Sequence, residues 1–182
     1  MNKRRFKFAS VVVVAMMAIG SAAWAQGDAD ATKNSGGEIA SASTAPVHYY
    51  TKQQVEASFA KTNGGDTLYD GDKDKQNFIL MTSVRTVPGN VEIHKKVTDV
   101  WYIVQGSATI LTGGTASDFV EGPKNAQGKS FSKDEIRAHK LVGGEPHHLT
   151  VGDVIVIPNG VPHLFTEIDG QFLYHLVKIR QP

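Results

Sequence analysis

GDVIVIPNGVPHLF, residues 152–165, places a glycine, an apolar run, a proline, a second glycine and a histidine at spacings that neither a helix nor a plain strand explains. Gly152 can supply a turn into the run 154–157, which suits a strand buried within a two-sheet fold. Pro158 cannot donate to a ladder and ends the pairing. Asn159-Gly160 favours positive φ and a tight turn, so the chain is expected to run back antiparallel through 161–167. Alternation then sets His163, Phe165 and Glu167 on one face, with Leu164 and Thr166 on the other. A histidine held just beyond a rigid turn is costly to specify unless its side chain is used.

A single histidine needs partners before it makes a site, and PGNVEIHKKVTDVWYIVQG, residues 88–106, offers them. Glu92 and His94 share one face of a strand by period-two alternation, a short turn follows, and Asp99 opens the next strand. These three can converge with His163. Imidazole and carboxylate together suit a hard or borderline divalent cation such as Fe²⁺, Mn²⁺ or Zn²⁺. The chain has no cysteine, so thiolate sites are excluded.

The surroundings of these two stretches read as all-β. Short runs rich in Val, Ile, Leu, Phe and Tyr, punctuated by turn residues, are the strand candidates: NFILMTSVRTV, VEIH, VWYIV, SATILT, EIRAHKL, VIVI, PHLFTEI and QFLYHLVKI. Their lengths and spacing predict a sandwich or barrel. YDGDKDK, residues 69–75, fails as a calcium loop because Lys75 and Met81 stand where the glycine and the bidentate glutamate are needed; it reads as a hairpin turn. One short helix is expected ahead of the strands, since Thr51, Val55 and Phe59 fall four apart and Thr51 can act as N-cap.

The first 25 residues, MNKRRFKFASVVVVAMMAIGSAAWA, have a basic start, an apolar run and an A-x-A site, the pattern of a secretory signal cut after Ala25. Residues 26–46, rich in Ala, Ser, Gly and Thr, read as a flexible tether. Cleavage would remove four of the 19 basic residues and no acidic one, leaving 15 against 18 and a formal charge of −3. No basic stripe then argues for nucleic acid, no second apolar segment for stable membrane insertion, and the location is periplasmic or secreted.

The stretches 152–165 and 88–106 resemble the conserved motifs of the cupins. Gly152-x5-Pro158-x-Gly160-x2-His163 is similar to the second cupin motif with every fixed position filled; its last position, usually asparagine, is Glu167. Gly89 to Gly106 resembles the first motif only in part: Asp99-x6-Gly106 matches with Asp for the usual Glu, His94 takes the second histidine position and Glu92 the first. The resemblance spans roughly residues 76–179, within a single domain over 47–182. It implies a double-stranded β-helix, the cupin jelly-roll barrel, with a site in its mouth.

Carried over residue by residue, the family's ligand set implies a metal held by His94, Asp99 and His163, with Glu92 either a further ligand or a general base. Trp101, Ile103 and Phe165, with Glu167, are the candidate lining of a substrate pocket. The cupin fold does not imply one reaction. The expected function is a metal-dependent enzyme, a lyase, isomerase, decarboxylase or Fe²⁺ dioxygenase, acting on an organic acid or sugar-like substrate. The alternative is a non-catalytic module that binds a small molecule or sugar. A homodimer is the expected assembly.

Overall fold

The computed structural model describes residues 46–61, 64–124 and 130–182. The expected leader and all but the last residue of the expected tether lie outside them. Among the described residues one helix, α1 (Lys52–Phe59), precedes nine strands: β1 (Gly65–Asp70), β2 (Phe78–Arg85), β3 (Val91–His94), β4 (Val97–Thr112), β5 (Thr115–Phe119), β6 (Glu135–Val142), β7 (Glu145–Leu149), β8 (Val154–Ile157) and β9 (His163–Arg180). The helix begins at a capping box: the Gln54 amide donates to the Thr51 hydroxyl at 3.2 Å, and the Thr51 amide donates to the Gln54 side chain at 2.9 Å. The stretch 69–75 closes the β1–β2 hairpin through a 3₁₀ turn, Gly71–Asp74, to which Arg180 is paired through Asp70 and Asp72, each at 2.7 Å.

Two long strands organise the barrel. β4 and β9 pair antiparallel along their whole lengths, from Val97 opposite Arg180 to Thr112 opposite His163. Each bends at a glycine with positive φ, Gly106 at +77° and Gly170 at +66°. A β-carbon at Gly106 would lie 2.5 Å from the Gln171 carbonyl oxygen, so the corner admits no side chain. The bends divide the ladder into two sheets. One runs β8, the first half of β4, the second half of β9, β2, β1; the other runs β7, the second half of β4, the first half of β9, β3, β6, β5. This is the double-stranded β-helix, a jelly roll. VWYIV and SATILT, expected as separate strands, are halves of one, as are HLFTEI and QFLYHLVKI.

Between the sheets lies a core of Trp101, Ile103, Ile110, Phe165, Phe172 and Tyr174 with smaller neighbours. Trp101 stacks on Phe165 with centroids 5.3 Å apart and meets Tyr174 at 4.8 Å. Each of these side chains contributes roughly 2–3 kcal/mol by leaving water.

The sequence expectation of a hairpin between 154–157 and 161–167 is corrected. β8 pairs only with the first half of β4, whereas the first half of β9 pairs with the second half of β4 and with β3. Pro158 and Pro162 lack the amides that a hairpin ladder would need there, so PNGVP carries the chain from one sheet to the other. β8 is an edge strand and not a doubly buried one: Val154 and Val156 are 59% and 56% exposed. β7, on EPHHL, is also an edge strand, where Pro146 is tolerated.

Candidate metal centre in the barrel mouth

The turn that opens the motif is bound to the strand carrying the other histidine. The Val161 amide donates to the Pro158 carbonyl at 3.2 Å, and Gly160 takes φ +81°, the third position of a type II turn. Asn159 keeps negative φ, so glycine alone is required. The Gly160 amide donates to the His94 carbonyl at 2.7 Å, the Asn159 side-chain amide to the Lys95 carbonyl at 3.2 Å, and the Asn159 backbone amide to the Thr98 hydroxyl at 3.3 Å. The turn is thus stapled to residues 94–98. Two residues on, His163 falls directly opposite Glu92 on β3.

Glu92, His94 and His163 each offer a donor atom, and the three atoms lie within 4.8 Å of one another. Glu92 Oε2 stands 3.8 Å from His94 Nε2 and 4.0 Å from His163 Nε2. Donors about 2.1 Å from one ion are about 3.0–3.4 Å apart, so the two Glu92–histidine pairs close on a cation with a contraction of roughly half an ångström. The chemistry of the pocket calls for such a partner. His163 Nδ1 lies 3.1 Å from the Val161 carbonyl, which accepts its proton and leaves the lone pair on Nε2. That Nε2 is buried and has no hydrogen-bond partner. A buried acceptor without a donor is expensive, and a cation would satisfy it.

Asp99 faces the same space from β4 but is engaged otherwise. Its Oδ2 is 3.4 Å from His94 Nε2 and accepts from Trp101 Nε1 at 3.3 Å. Lys178 on β9, directly opposite Asp99, places Nζ at 3.2 and 3.4 Å from the two carboxylate oxygens and 3.1 Å from His94 Nε2. An ammonium only donates, so His94 Nε2 accepts from it.

Glu92 is gripped from its other oxygen. Arg85 Nη2 and Arg137 Nη1 donate to Oε1 at 2.7 and 2.6 Å, while Arg137 also pairs with Glu135. Burial alone would raise the Glu92 carboxyl, but the two arginines, with help from the histidines, outweigh it and hold Glu92 far below the usual carboxylate range. For Asp99 burial likewise pushes up, yet His94 and Lys178 pull the net shift down. His163 moves below the ordinary histidine value, chiefly through burial, which overcomes the attraction of Glu92. It is therefore neutral at neutral pH.

These shifts share one sign. Between its folded pKa and about 6.5, His163 is protonated in the unfolded chain and not in the folded one, so its contribution is complete above about pH 6.5 and is lost as pH falls. Half-buried His175, also lowered by burial, acts in the same direction. Glu92 and Asp99 add a further loss below about pH 4. The melting temperature of chelator-treated protein is expected to be flat above neutrality and to fall below about pH 6.5. His163→Gln should make that fall shallower. An unchanged slope between about pH 5 and 6.5 would contradict the assignment.

A cavity of about 550 Å³ opens beside the cluster, and its lining includes Arg85, Glu92, Asp99, Trp101, Arg137 and Lys178. The two histidines, 5% and 2% exposed, do not line it and reach it past Glu92 and Asp99. Of the expected pocket residues, Trp101 lines this cavity. Ile103 and Phe165 do not, being packed in the core at 0% and 6% exposure. Glu167 lies on the outer surface, where it accepts from the Thr109 hydroxyl at 3.1 Å. The cause is a bulge: Thr109 pairs with Glu167 but Ile110 with Phe165, so Thr166 is an extra residue that reverses the alternation.

His147 and His148 stand on β7 against the Thr112 and Thr109 hydroxyls, and His139 is exposed, all away from the cluster. Arg85, Arg137 and Lys178 escaped the sequence reading. Only the pairing of distant strands brings them to Glu92 and Asp99, so no local signal in the sequence could have found them.

A jelly-roll barrel built on two long bent strands, with a Gly-Pro-Gly-His turn delivering an imidazole to a carboxylate and a second imidazole in its mouth, has the double-stranded β-helix fold that the resemblance to the cupins implied. No protein-family model and no curated protein matches the sequence. Among solved structures it is similar to a Bacillus halodurans protein, at 14% identity over 76% of this chain and 86% of that one, with TM-score 0.48. A Klebsiella pneumoniae protein with a double-stranded β-helix domain matches at 12% identity over 74% and 91%, TM-score 0.45. The DMSP lyase DddQ of Ruegeria pomeroyi matches at 15% identity over 58% of this chain, TM-score 0.38, and the chain spans only 39% of that protein's length. At such distances no activity carries over.

Proposed function

We propose that the barrel mouth is a divalent-metal site of an exported enzyme acting on a small organic acid. The observation that carries this reading is the buried, unpartnered Nε2 of His163, aimed at Glu92 and His94 with its other nitrogen tied to Val161. Glu92, His94 and His163 would hold the ion, an arrangement of two imidazoles and one carboxylate suited to Fe²⁺, Mn²⁺ or Zn²⁺. When bound, the metal would supply Lewis-acid polarisation of a substrate oxygen, or oxygen chemistry if it is iron.

Glu92 suits the role of ligand and not that of general base, because two guanidinium groups lower its proton affinity. Arg85, Arg137 and Lys178 line the cavity and favour an anionic substrate over a neutral sugar; each has donors beyond those its acidic partner occupies. They would also offset negative charge developing on substrate oxygens. Trp101 supplies an apolar wall. Periplasmic or secreted location rests on the leader reading, and a homodimer would be served by the edge strand β8 with its bare Val154 and Val156.

The test is a panel of small carboxylates and neutral sugars offered to metal-loaded protein, followed by calorimetry and by product analysis. Carboxylates should bind at least about tenfold more tightly than matched neutral compounds, and Arg137→Lys should weaken them about tenfold by removing the planar fork. Turnover of a carboxylate establishes the enzyme. Binding without turnover of any panel member would assign a binding module instead, and equal affinity for acids and sugars would refute the substrate class.

A further inference from the structure

Lys178 is not one of the residues that would hold the metal, yet its ammonium stands among them. Its Nζ touches both oxygens of Asp99 and His94 Nε2, all within 3.4 Å, from the strand directly opposite. Asp99 is 1% exposed, so no bulk water competes for its carboxylate. Trp101 Nε1 adds a second donor, on Oδ2. Among the described residues, the group whose donor atoms all lie within 4.8 Å of each other leaves Asp99 out. Yet Asp99 is a carboxylate 3.4 Å from His94 Nε2 and would be an able ligand if released.

The geometry points to Lys178 as the residue that sets how many side chains hold the metal: by binding Asp99 it keeps the ligand set at Glu92, His94 and His163. This rests on the metal reading above. An ammonium has three protons and no lone pair. It can surrender His94 Nε2 to an entering ion while keeping its grip on Asp99. The Asp99–Lys178 pair is then a neutral unit beside the ion in place of a second anionic ligand. The ion keeps more of its positive charge and more positions open toward the cavity, both of which strengthen it as a Lewis acid.

Cobalt(II) is a suitable probe, because its visible absorption reports coordination number and donor set independently of activity. Wild type, Asp99→Asn, Lys178→Met and the double variant would be titrated with Co²⁺ against a competing chelator. Asp99→Asn should keep the wild-type spectrum, since no ligand is lost. Lys178→Met should free Asp99, change the spectrum and raise affinity by roughly ten- to a hundredfold, the scale on which groups just outside a metal's ligands act. Adding Asp99→Asn to Lys178→Met should restore the wild-type spectrum.

A spectrum altered by Asp99→Asn alone, with affinity reduced by orders of magnitude, would make Asp99 a ligand and overturn the inference while leaving the metal reading intact. So would an unchanged spectrum in Lys178→Met. If Lys178→Met does not fold, Asp99→Asn decides alone. Absence of Co²⁺ binding by wild type and every variant would overturn the metal reading, and this inference with it.

Discussion

His163→Ala is expected to abolish stoichiometric metal binding, lowering affinity by at least about a thousandfold, while the barrel stays folded. The substitution removes one of three donors, and no other group can replace it: Asp99 is held by Lys178, and the remaining histidines stand elsewhere. Structural metal sites yield free energy through each ligand, so losing a third of the set is severe. Folding should survive because His163 gives the core an edge-on contact with Trp101 at 5.8 Å and little else. Its unpartnered Nε2 is a cost in the metal-free protein, and removing it returns part of what the cavity costs. Metal analysis and thermal melts check both halves. Retention of one ion per chain would remove His163 from the site, and a collapsed fold would make it structural.

Glu92→Gln is expected to lose both the metal and about 3 kcal/mol of stability, because a buried ion pair broken on one side leaves its other members uncompensated. Glu92 is the common acceptor of Arg85 and Arg137. An amide has one oxygen, which those guanidinium groups claim, so its NH₂ turns toward His94 and His163. There it is a donor where a metal ligand must be an acceptor. Arg137 retains Glu135, whereas Arg85 is left with Tyr174 and the solvent-facing cavity, which places most of the penalty on Arg85. Chemical denaturation and metal titration of the variant measure the two effects. Full metal occupancy with loss of turnover alone would return Glu92 to the role of base.

Where local chemistry decides structure, the sequence was legible. Thr51 marked the start of the helix, the Asp-rich stretch at 69–75 marked a hairpin, and Gly152, Pro158, Gly160 and His163 marked the turn that defines the barrel. Glu92, His94, Asp99 and His163 could be named as one cluster because strand parity sets Glu92 and His94 on one face and a short turn brings Asp99 back beside them. What could not be read depends on pairing between distant strands. That Gly106 and Gly170 bend two strands and do not break four follows from the β4–β9 register. The bulge at Thr166, which sends Glu167 outward, follows from the same register. So does Lys178 opposite Asp99, on which the difference between a ligand and a withheld carboxylate depends. Arg85 and Arg137 come from β2 and β6 and meet only across Glu92, so nothing in their local sequence announces them.

Elemental analysis of the protein purified without a polyhistidine tag tests the central claim most directly. One iron, manganese or zinc ion per chain, lost with His163→Ala, is the predicted result. Wild-type protein that carries no ion, takes up none when offered Fe²⁺, Mn²⁺ and Zn²⁺ in turn, and shows no change in melting temperature with any of them would contradict it.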